Sequence, residues 1–186
     1  TTAGDIGLSG DASADGDLFL IANGGSIALG GQTSAGGLLS LAAGTTIAAG
    51  DLASATGDVL AEAAQGIAVS DVSAAGDIRL LATAGGIGFA NLAAGRDATA
   101  SAAGDVTGVT LDAGRDGDLQ ADRNSSGAGD LVLSGLASAV RNLNLYGANV
   151  TLADVVVSGV SPAPPGRLSG FFTTNSTNGL GVVGDG

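Results

Sequence analysis

The chain contains no cysteine, histidine, lysine, methionine or tryptophan, and among its 186 residues only four are phenylalanine and one is tyrosine. Without cysteine there is no disulfide framework. Catalytic triads, Cys–His pairs and the usual zinc sites need histidine or cysteine and are excluded. A conventional globular core needs large side chains to fill its volume. The composition therefore predicts a narrow interior packed with small aliphatic residues.

Positive charge is also scarce, since six arginines face 18 acidic residues and give a formal net charge of −12. Binding to nucleic acid requires cations that neutralise phosphates, so nucleic acid is excluded as a partner. Anionic membrane surfaces are excluded for the same reason. No apolar run approaches the length of a membrane-spanning helix, so we expect no membrane insertion.

What the sequence does contain is 34 glycines, 45% hydrophobic residues and an internal repeat. Three series of apolar positions recur along the chain at intervals of about 20 residues. The first series consists of alternating pairs: Leu18/Leu20, Leu39/Leu41, Val59/Ala61, Ile78/Leu80 and Ala98/Ala100. The second series is Ile27, Ile47, Ile67, Ile87 and Val106, each of the first four followed two residues later by another apolar residue. The third series is Leu52, Val72, Leu92 and Leu111.

Alternation with a period of two is typical of strands that turn one face inward. Turn-forming residues usually precede the strands, as Asp58 precedes Val59 and Asp77 precedes Ile78. Three strands and three corners per repeat predict an all-β fold. We expect a right-handed parallel β-helix, or solenoid, of about seven coils of 19–21 residues with a triangular cross-section.

The pattern also predicts where the solenoid continues and where it ends. Leu119/Ala121 would take the next first-series position, Leu131 and Val150 would continue the second series, and residues 122–129 would be an insertion. Ile27, Ile47, Ile67, Ile87, Val106, Leu131 and Val150 are thus predicted core residues. We expect repeats over 1–157 and an irregular tail over 158–186, acting as a cap or a junction, because proline cannot sit inside a ladder.

Two stretches resemble the repeat region of filamentous-haemagglutinin-type exoproteins, which are adhesins exported by two-partner secretion. They are Ala-Gly-Asp-Ile-Arg-Leu-Leu-Ala-Thr-Ala-Gly-Gly-Ile (75–87) and Ala-Gly-Arg-Asp-Ala-Thr-Ala-Ser-Ala-Ala-Gly-Asp-Val-Thr (94–107). The resemblance covers about residues 3–157. It implies an elongated, extracellular or cell-surface protein of bacteria with a structural role. The family's secretion domain, with its Asn-Pro-Asn-type motifs, is not found in this sequence.

Two groups of acidic residues are candidate sites. Asp112, Asp116, Asp118 and Asp122, with Arg115, lie beside the insertion and could act on or bind a carbohydrate or a cation. Asp58, Asp77, Asp97 and Asp118 recur before first-series strands, so they should stack in successive coils and could bind calcium. Solvated corner residues and turn formation, with Arg115 balancing Asp97 and Asp116, are the alternative that we favour for both groups.

The sequence therefore favours a non-enzymatic stalk or spacer of a large secreted adhesin, without a cofactor. Its partners would be a glycan or protein receptor on a host cell or surface, or neighbouring modules of the same polypeptide. One alternative is a solenoid that binds or degrades polysaccharides. A second alternative is a module that associates end to end, because open strand edges are natural pairing sites.

Overall fold

A computed structural model describes residues 4–158, 167–170 and 182–184 of the chain. Within these ranges the protein is all-β, and its strands are parallel and stacked as a solenoid of about eight turns. The expected β-solenoid class is thus confirmed, whereas the right-handed winding and the count of about seven coils stay predictions.

Most strands are three to five residues long, and short corners separate them. In chain order they are β1 (Ile6–Leu8), β2 (Ala12–Ala14), β3 (Leu18–Ala22), β4 (Ile27–Leu29), β5 (Thr33–Ala35), β6 (Leu39–Ala43), β7 (Thr46–Ala49), β8 (Leu52–Ser54), β9 (Val59–Ala63), β10 (Gly66–Val69), β11 (Asp71–Ala74), β12 (Ile78–Ala82), β13 (Ile87–Gly88), β14 (Asn91–Ala94), β15 (Ala98–Ala102), β16 (Val106–Gly108), β17 (Thr110–Ala113), β18 (Asp116–Gln120), β19 (Leu131–Ala139), β20 (Asn142–Tyr146), β21 (Val150–Val157), β22 (Arg167–Gly170) and β23 (Val182–Gly184).

Each of the three apolar series forms its own ladder. The first-series strands make an eight-stranded sheet in the order β3, β6, β9, β12, β15, β18, β20 and β22. The second-series and third-series strands run up two further sides of the solenoid. These two sides join into one sheet because β19 and β21 each continue through the corner between them, with an irregularity in their pairing between Leu133 and Leu136.

The second series forms a continuous inward column. Its members pair in register from Ile6 through Ile27, Ile47, Ile67, Ile87, Val106 and Leu131 to Val150. The seven residues predicted as core are between 0% and 6% exposed. Seven intervals of about 4.8 Å give this column a length of roughly 34 Å.

The close spacing of the turns explains why glycine recurs at the corners. A Cβ added at Gly36 would overlap the backbone carbonyl of Asp15 in the turn before it, and one added at Gly85 would overlap that of Gln65. Gly108 has a different reason, because a Cβ there would meet the ring of the buried Phe89. Any side chain at these positions would push neighbouring turns apart.

One predicted register is wrong. Leu119 and Ala121 are buried, at 0% and 2% exposed, as expected of inward residues. They do not take the expected places in the ladder, because Ala98 pairs with Gly117 and Ala100 pairs with Leu119. The pair in register with Ala98/Ala100 is therefore Gly117/Leu119. Gly117 has no side chain to signal its inward position, so the apolar pattern seemed to begin two residues late.

Part of the expected tail continues the solenoid. The strand β22 pairs in parallel with β20, and β23 pairs in parallel with β21. The proline-rich stretch from 161 to 166 and the pair Phe171 and Phe172 lie outside the described residues. The expectation that 158–186 caps the solenoid or joins it to another module therefore stays a prediction.

Candidate functional site

The acidic residues stack at a corner of the solenoid, but the column differs from the predicted one. One residue stands directly before the first inward residue of each first-series strand, and we call these residues the corner column: Asp17, Leu38, Asp58, Asp77, Asp97, Asp116 and Asn142. Asp116 takes the place predicted for Asp118, because the register at β18 is set by Gly117. Leu38 interrupts the column in the second turn.

Each aspartate of the corner column bonds to the backbone of the next turn. The Oδ1 atom of Asp58 accepts the N–H of Asp77 at 2.8 Å, and Asp77 accepts the N–H of Asp97 at 3.1 Å. Asp97 accepts the N–H of Asp116 at 3.2 Å. These carboxylates do at the corner what a backbone carbonyl does within a ladder, so they hold successive turns in register.

The same contact recurs at other corners. Asp5 accepts the N–H of Ser26 at 2.7 Å, and Asp11 accepts that of Gln32 at 2.9 Å, just as Asp17 of the corner column accepts that of Leu38 at 2.8 Å. Asp105 likewise accepts the N–H of Asp130 at 2.9 Å. The periodic aspartates are therefore structural links between turns, which is more specific than the turn-forming role expected from the sequence.

Arginines relieve the repulsion between carboxylates that lie one turn apart. The Nη2 atom of Arg96 lies 3.0 Å from Asp58 and 3.0 Å from Asp77, so one guanidinium joins two turns. Arg115 contacts Asp97 through Nε at 3.0 Å and Nη2 at 2.5 Å. Hydrogen bonding to Asp97 raises the pKa of Arg115 above its usual value. Exposed ion pairs contribute little stability individually, so their main effect is to neutralise the column.

The pairing of Arg115 corrects part of the expectation. Arg115 was expected to balance both Asp97 and Asp116, but Asp116 forms its ion pair with Arg141. Burial opposes the ionisation of Asp116, yet hydrogen bonds from Arg141 and Asn142 outweigh it and lower the pKa of this carboxyl.

The second acidic group does not converge on one site. Asp112 faces outward from β17 and accepts a hydrogen bond from the Ser138 hydroxyl at 2.7 Å. Asp116 is the first residue of β18, at the corner, and Asp118 lies further along the same strand. Asp122 follows β18, in the loop to β19. The carboxylates expected to form an acid–base pair therefore occupy separate places around the turn, each with its own partner.

Asp118 is the one member of this group with a raised pKa. Its half-buried position disfavours the charged form, and a hydrogen bond with Asn144 offsets the effect only in part. A carboxyl that ionises with difficulty can act as a general acid. A second carboxylate across a cleft would be needed for hydrolysis of a glycoside, and the neighbouring carboxylates Asp116 and Asp122 are bound to other groups.

Asp122 organises the loop between β18 and β19. Its carboxylate accepts the N–H of Ser126 at 2.6 Å, the hydroxyl of Ser126 at 2.7 Å and the N–H of Gly127 at 2.8 Å. The Ser126 hydrogen bond lowers the pKa of Asp122 despite some desolvation. The backbone is left-handed at Asp122 (φ 54°), Ser125 (φ 56°) and Gly127 (φ 79°). Asp122 thus stabilises its own loop, a role that sequence reasoning missed.

Calcium binding finds little support in this arrangement. Among the residues that the structure describes, no three or more acidic side chains are grouped so that they could hold a metal ion. In the stretch where calcium was expected, Asp58, Asp77 and Asp97 already contact arginine. A calcium ion would have to displace these contacts.

A concave surface lies on another part of the solenoid. It has a volume of about 820 Å³, is open along its length, and follows the corner between the second-series and third-series strands over the first four turns. Its lining consists of glycine, alanine, serine, leucine and valine, including Leu29, Ala48, Val69 and Ser70. No titratable side chain lines it, so it offers no acid or base for catalysis.

Comparisons with known proteins gave no match, whether with family models, curated proteins or solved structures. Within the described ranges, no helix is long and apolar enough to cross a membrane.

Proposed function

We propose that this chain is a structural stalk or spacer segment of a large secreted or surface-attached bacterial adhesin of the filamentous-haemagglutinin type, and that it has no enzymatic activity. The observation that carries the proposal is the uniform stacking of about eight turns. In a stack of this kind, each turn adds about 4.8 Å to the length of the molecule. Its location would be extracellular or at the bacterial cell surface.

The contacts of the charged groups support a structural role. The aspartates of the corner column that could have formed a reactive or metal-binding cluster accept backbone N–H groups of the next turn, and three arginines pair with them. Such contacts hold turns together and engage the carboxylates of the column. Recognition of a receptor would then belong to other modules of the same polypeptide.

The proposal has a direct test on the 186-residue chain. Small-angle X-ray scattering should give the profile of an elongated particle. Its length should equal that of the inward column, roughly 34 Å, plus the terminal segments. An array of host and bacterial glycans should give no saturable binding, and incubation with acidic and neutral polysaccharides should release no new reducing ends. Cleavage of any polysaccharide would overturn the non-enzymatic assignment.

The location and the adhesin context need a separate measurement. Antibodies raised against the chain should label intact, unpermeabilised cells of the producing organism, or the protein should be recovered from the culture medium. Labelling that appears only after the cells are permeabilised would refute the extracellular assignment. It would leave the rod-like structure unaffected.

A further inference from the structure

The connection between β18 and β19 is the longest interruption of the solenoid within residues 4–158. It spans residues 121–130, whereas residues 103–105 suffice at the same corner of the preceding turn. Residues 123–128 of this loop are all exposed. Exposed loops of small and polar residues are the places where proteases cut folded proteins, because the enzyme must draw several residues into its active site.

This loop also carries an arginine that no ion pair engages. Arg123 is exposed, and the ion pairs of the described residues do not include it. Arg96, Arg115 and Arg141 pair with aspartates of the corner column. Arg79 lies inside β12, which is bonded to β9 on one side and to β15 on the other. Arg123 therefore offers a basic side chain on a stretch of backbone that no ladder holds.

Hydrogen bonds to Asp122 keep the loop closed. Its carboxylate accepts the N–H and the hydroxyl of Ser126 at 2.6 and 2.7 Å, and its backbone carbonyl accepts the N–H of Ser125 at 2.8 Å. We call these contacts the Asp122 clamp. They place the peptide bond between Arg123 and Asn124 in the middle of a tight turn, flanked by left-handed backbone at Asp122 and Ser125. A protease binds its substrate in an extended form, so the clamp must open before this bond can be cut.

We propose that the bond between Arg123 and Asn124 is a processing site for an arginine-specific endoprotease, and that the Asp122 clamp sets the rate of cutting. The protease adds water across this amide bond. The carbonyl carbon of Arg123 gains the hydroxyl and becomes a carboxylate, and the nitrogen of Asn124 gains the proton and becomes a new N-terminus. When the loop opens and closes faster than it is cut, the rate follows the population of the open loop.

Cutting at this bond would nick the solenoid without separating its parts. Two strands before the bond, β16 and β17, pair with β19 after it, and β18 pairs with β20. Leu119 and its register partner Leu145 come from the two sides of the cut, and both are fully buried in one core. Three ladders and a shared core therefore hold the two fragments together. The site depends neither on the adhesin assignment nor on any receptor.

Limited proteolysis of the 186-residue chain with trypsin tests the site, because trypsin cuts after arginine or lysine and this chain has no lysine. The first cut within residues 4–158 should create a new N-terminus that reads Asn-Ser-Ser. The two fragments should elute together in size-exclusion chromatography, at the position of the intact chain, and should separate in urea. No cut after Arg123, an earlier cut after another arginine of this range, or fragments that separate in native buffer would each overturn the proposal.

Variants of the loop test the clamp. Asp122→Ala should speed the cut after Arg123 by about tenfold or more, because it removes an ionised hydrogen-bond acceptor. Ser126→Ala should act in the same direction with a smaller effect. The matched control is Asp112→Ala, since Asp112 is an outward aspartate that accepts a hydroxyl hydrogen bond from Ser138 outside the loop. It should be cut like wild type.

The quantity to compare is the rate of cutting after Arg123 relative to the rates after the other arginines. A general loss of stability would raise all of these rates together, whereas opening of the clamp raises only the first. An unchanged rate in Asp122→Ala, or equal acceleration at every arginine, would refute the role of the clamp.

Discussion

The inward column of isoleucines gives the sharpest test of the fold. Ile67 is 3% exposed and pairs in register with Ile47 and Ile87, which are 1% and 2% exposed. Replacing Ile67 by alanine removes three carbon atoms from the middle of this stack and leaves a cavity that the neighbouring turns cannot close without losing their own contacts. A buried isoleucine truncated in this way costs about 3 kcal/mol.

Ile67→Asp should be much more damaging than Ile67→Ala. It loses the same packing and also buries a carboxylate among apolar side chains, which adds several kcal/mol. The total reaches the lower part of the usual range of domain stability, about 5–15 kcal/mol. Since each turn contacts mainly its neighbours, the damage should concentrate in the middle turns.

The assay is urea denaturation followed by far-UV circular dichroism, together with hydrogen exchange. The control is Ala68→Asp, because Ala68 is the next residue of β10 and points outward. Ala68→Asp should unfold within about 0.5 kcal/mol of wild type. Ile67→Ala should unfold at clearly lower urea, and Ile67→Asp should lose exchange protection in β7, β10 and β13 under native conditions. Equal unfolding midpoints for Ile67→Asp and Ala68→Asp would refute the inward assignment.

Three other substitutions probe polar groups. Asp77→Ala removes the acceptor for the N–H of Asp97 and an exposed ion pair with Arg96, so it should lower the free energy of unfolding by about 1–2 kcal/mol. Asp77→Asn keeps an acceptor and should cost less than half of that. Equal losses of stability in the two variants would contradict the hydrogen bond to the backbone. The raised pKa of Asp118 means that the folded protein binds its proton more tightly, so stability falls as pH rises from about 4 through that pKa. Asp118→Asn should therefore raise the melting temperature at pH 7 but not below about pH 4, and a gain that is equal at both would be inconsistent with this origin. The hydroxyl of Thr33 is buried without a hydrogen-bond partner. The isosteric Thr33→Val should therefore stabilise the protein by about 1 kcal/mol in the same urea assay. A loss of stability would show that the hydroxyl does form a hydrogen bond.

The corner aspartates resemble a binding site in the repeat pattern of the sequence, but in the structure they stabilise the stacking of the turns. Carboxylates stacked one turn apart look like a cation-binding ladder in the sequence. In the structure each one is committed to the backbone of the next turn, and Arg96 reaches two of them at once. Removing Arg96 would leave Asp58 and Asp77 without that cation.

The amino-acid sequence by itself determined the class of fold and most of the core. A period of about 20 residues with local alternation can be satisfied only by stacked strands with one face inward, and the isoleucines of the second series mark that face directly. Apolar side chains report their own burial, so Ile27, Ile47, Ile67 and Ile87 could be assigned without coordinates.

The tertiary structure alone decided the register at β18 and the partners of the charged groups. Gly117 occupies an inward position with no side chain to reveal it, so the alternation was read two residues late and Asp118 was placed in the column instead of Asp116. Ion pairs between turns depend on that register, since a shift of two residues moves a carboxylate from a corner onto the face of a strand. The pairing of Arg141 with Asp116, 25 residues away in the chain, could therefore be found only once the turns were stacked.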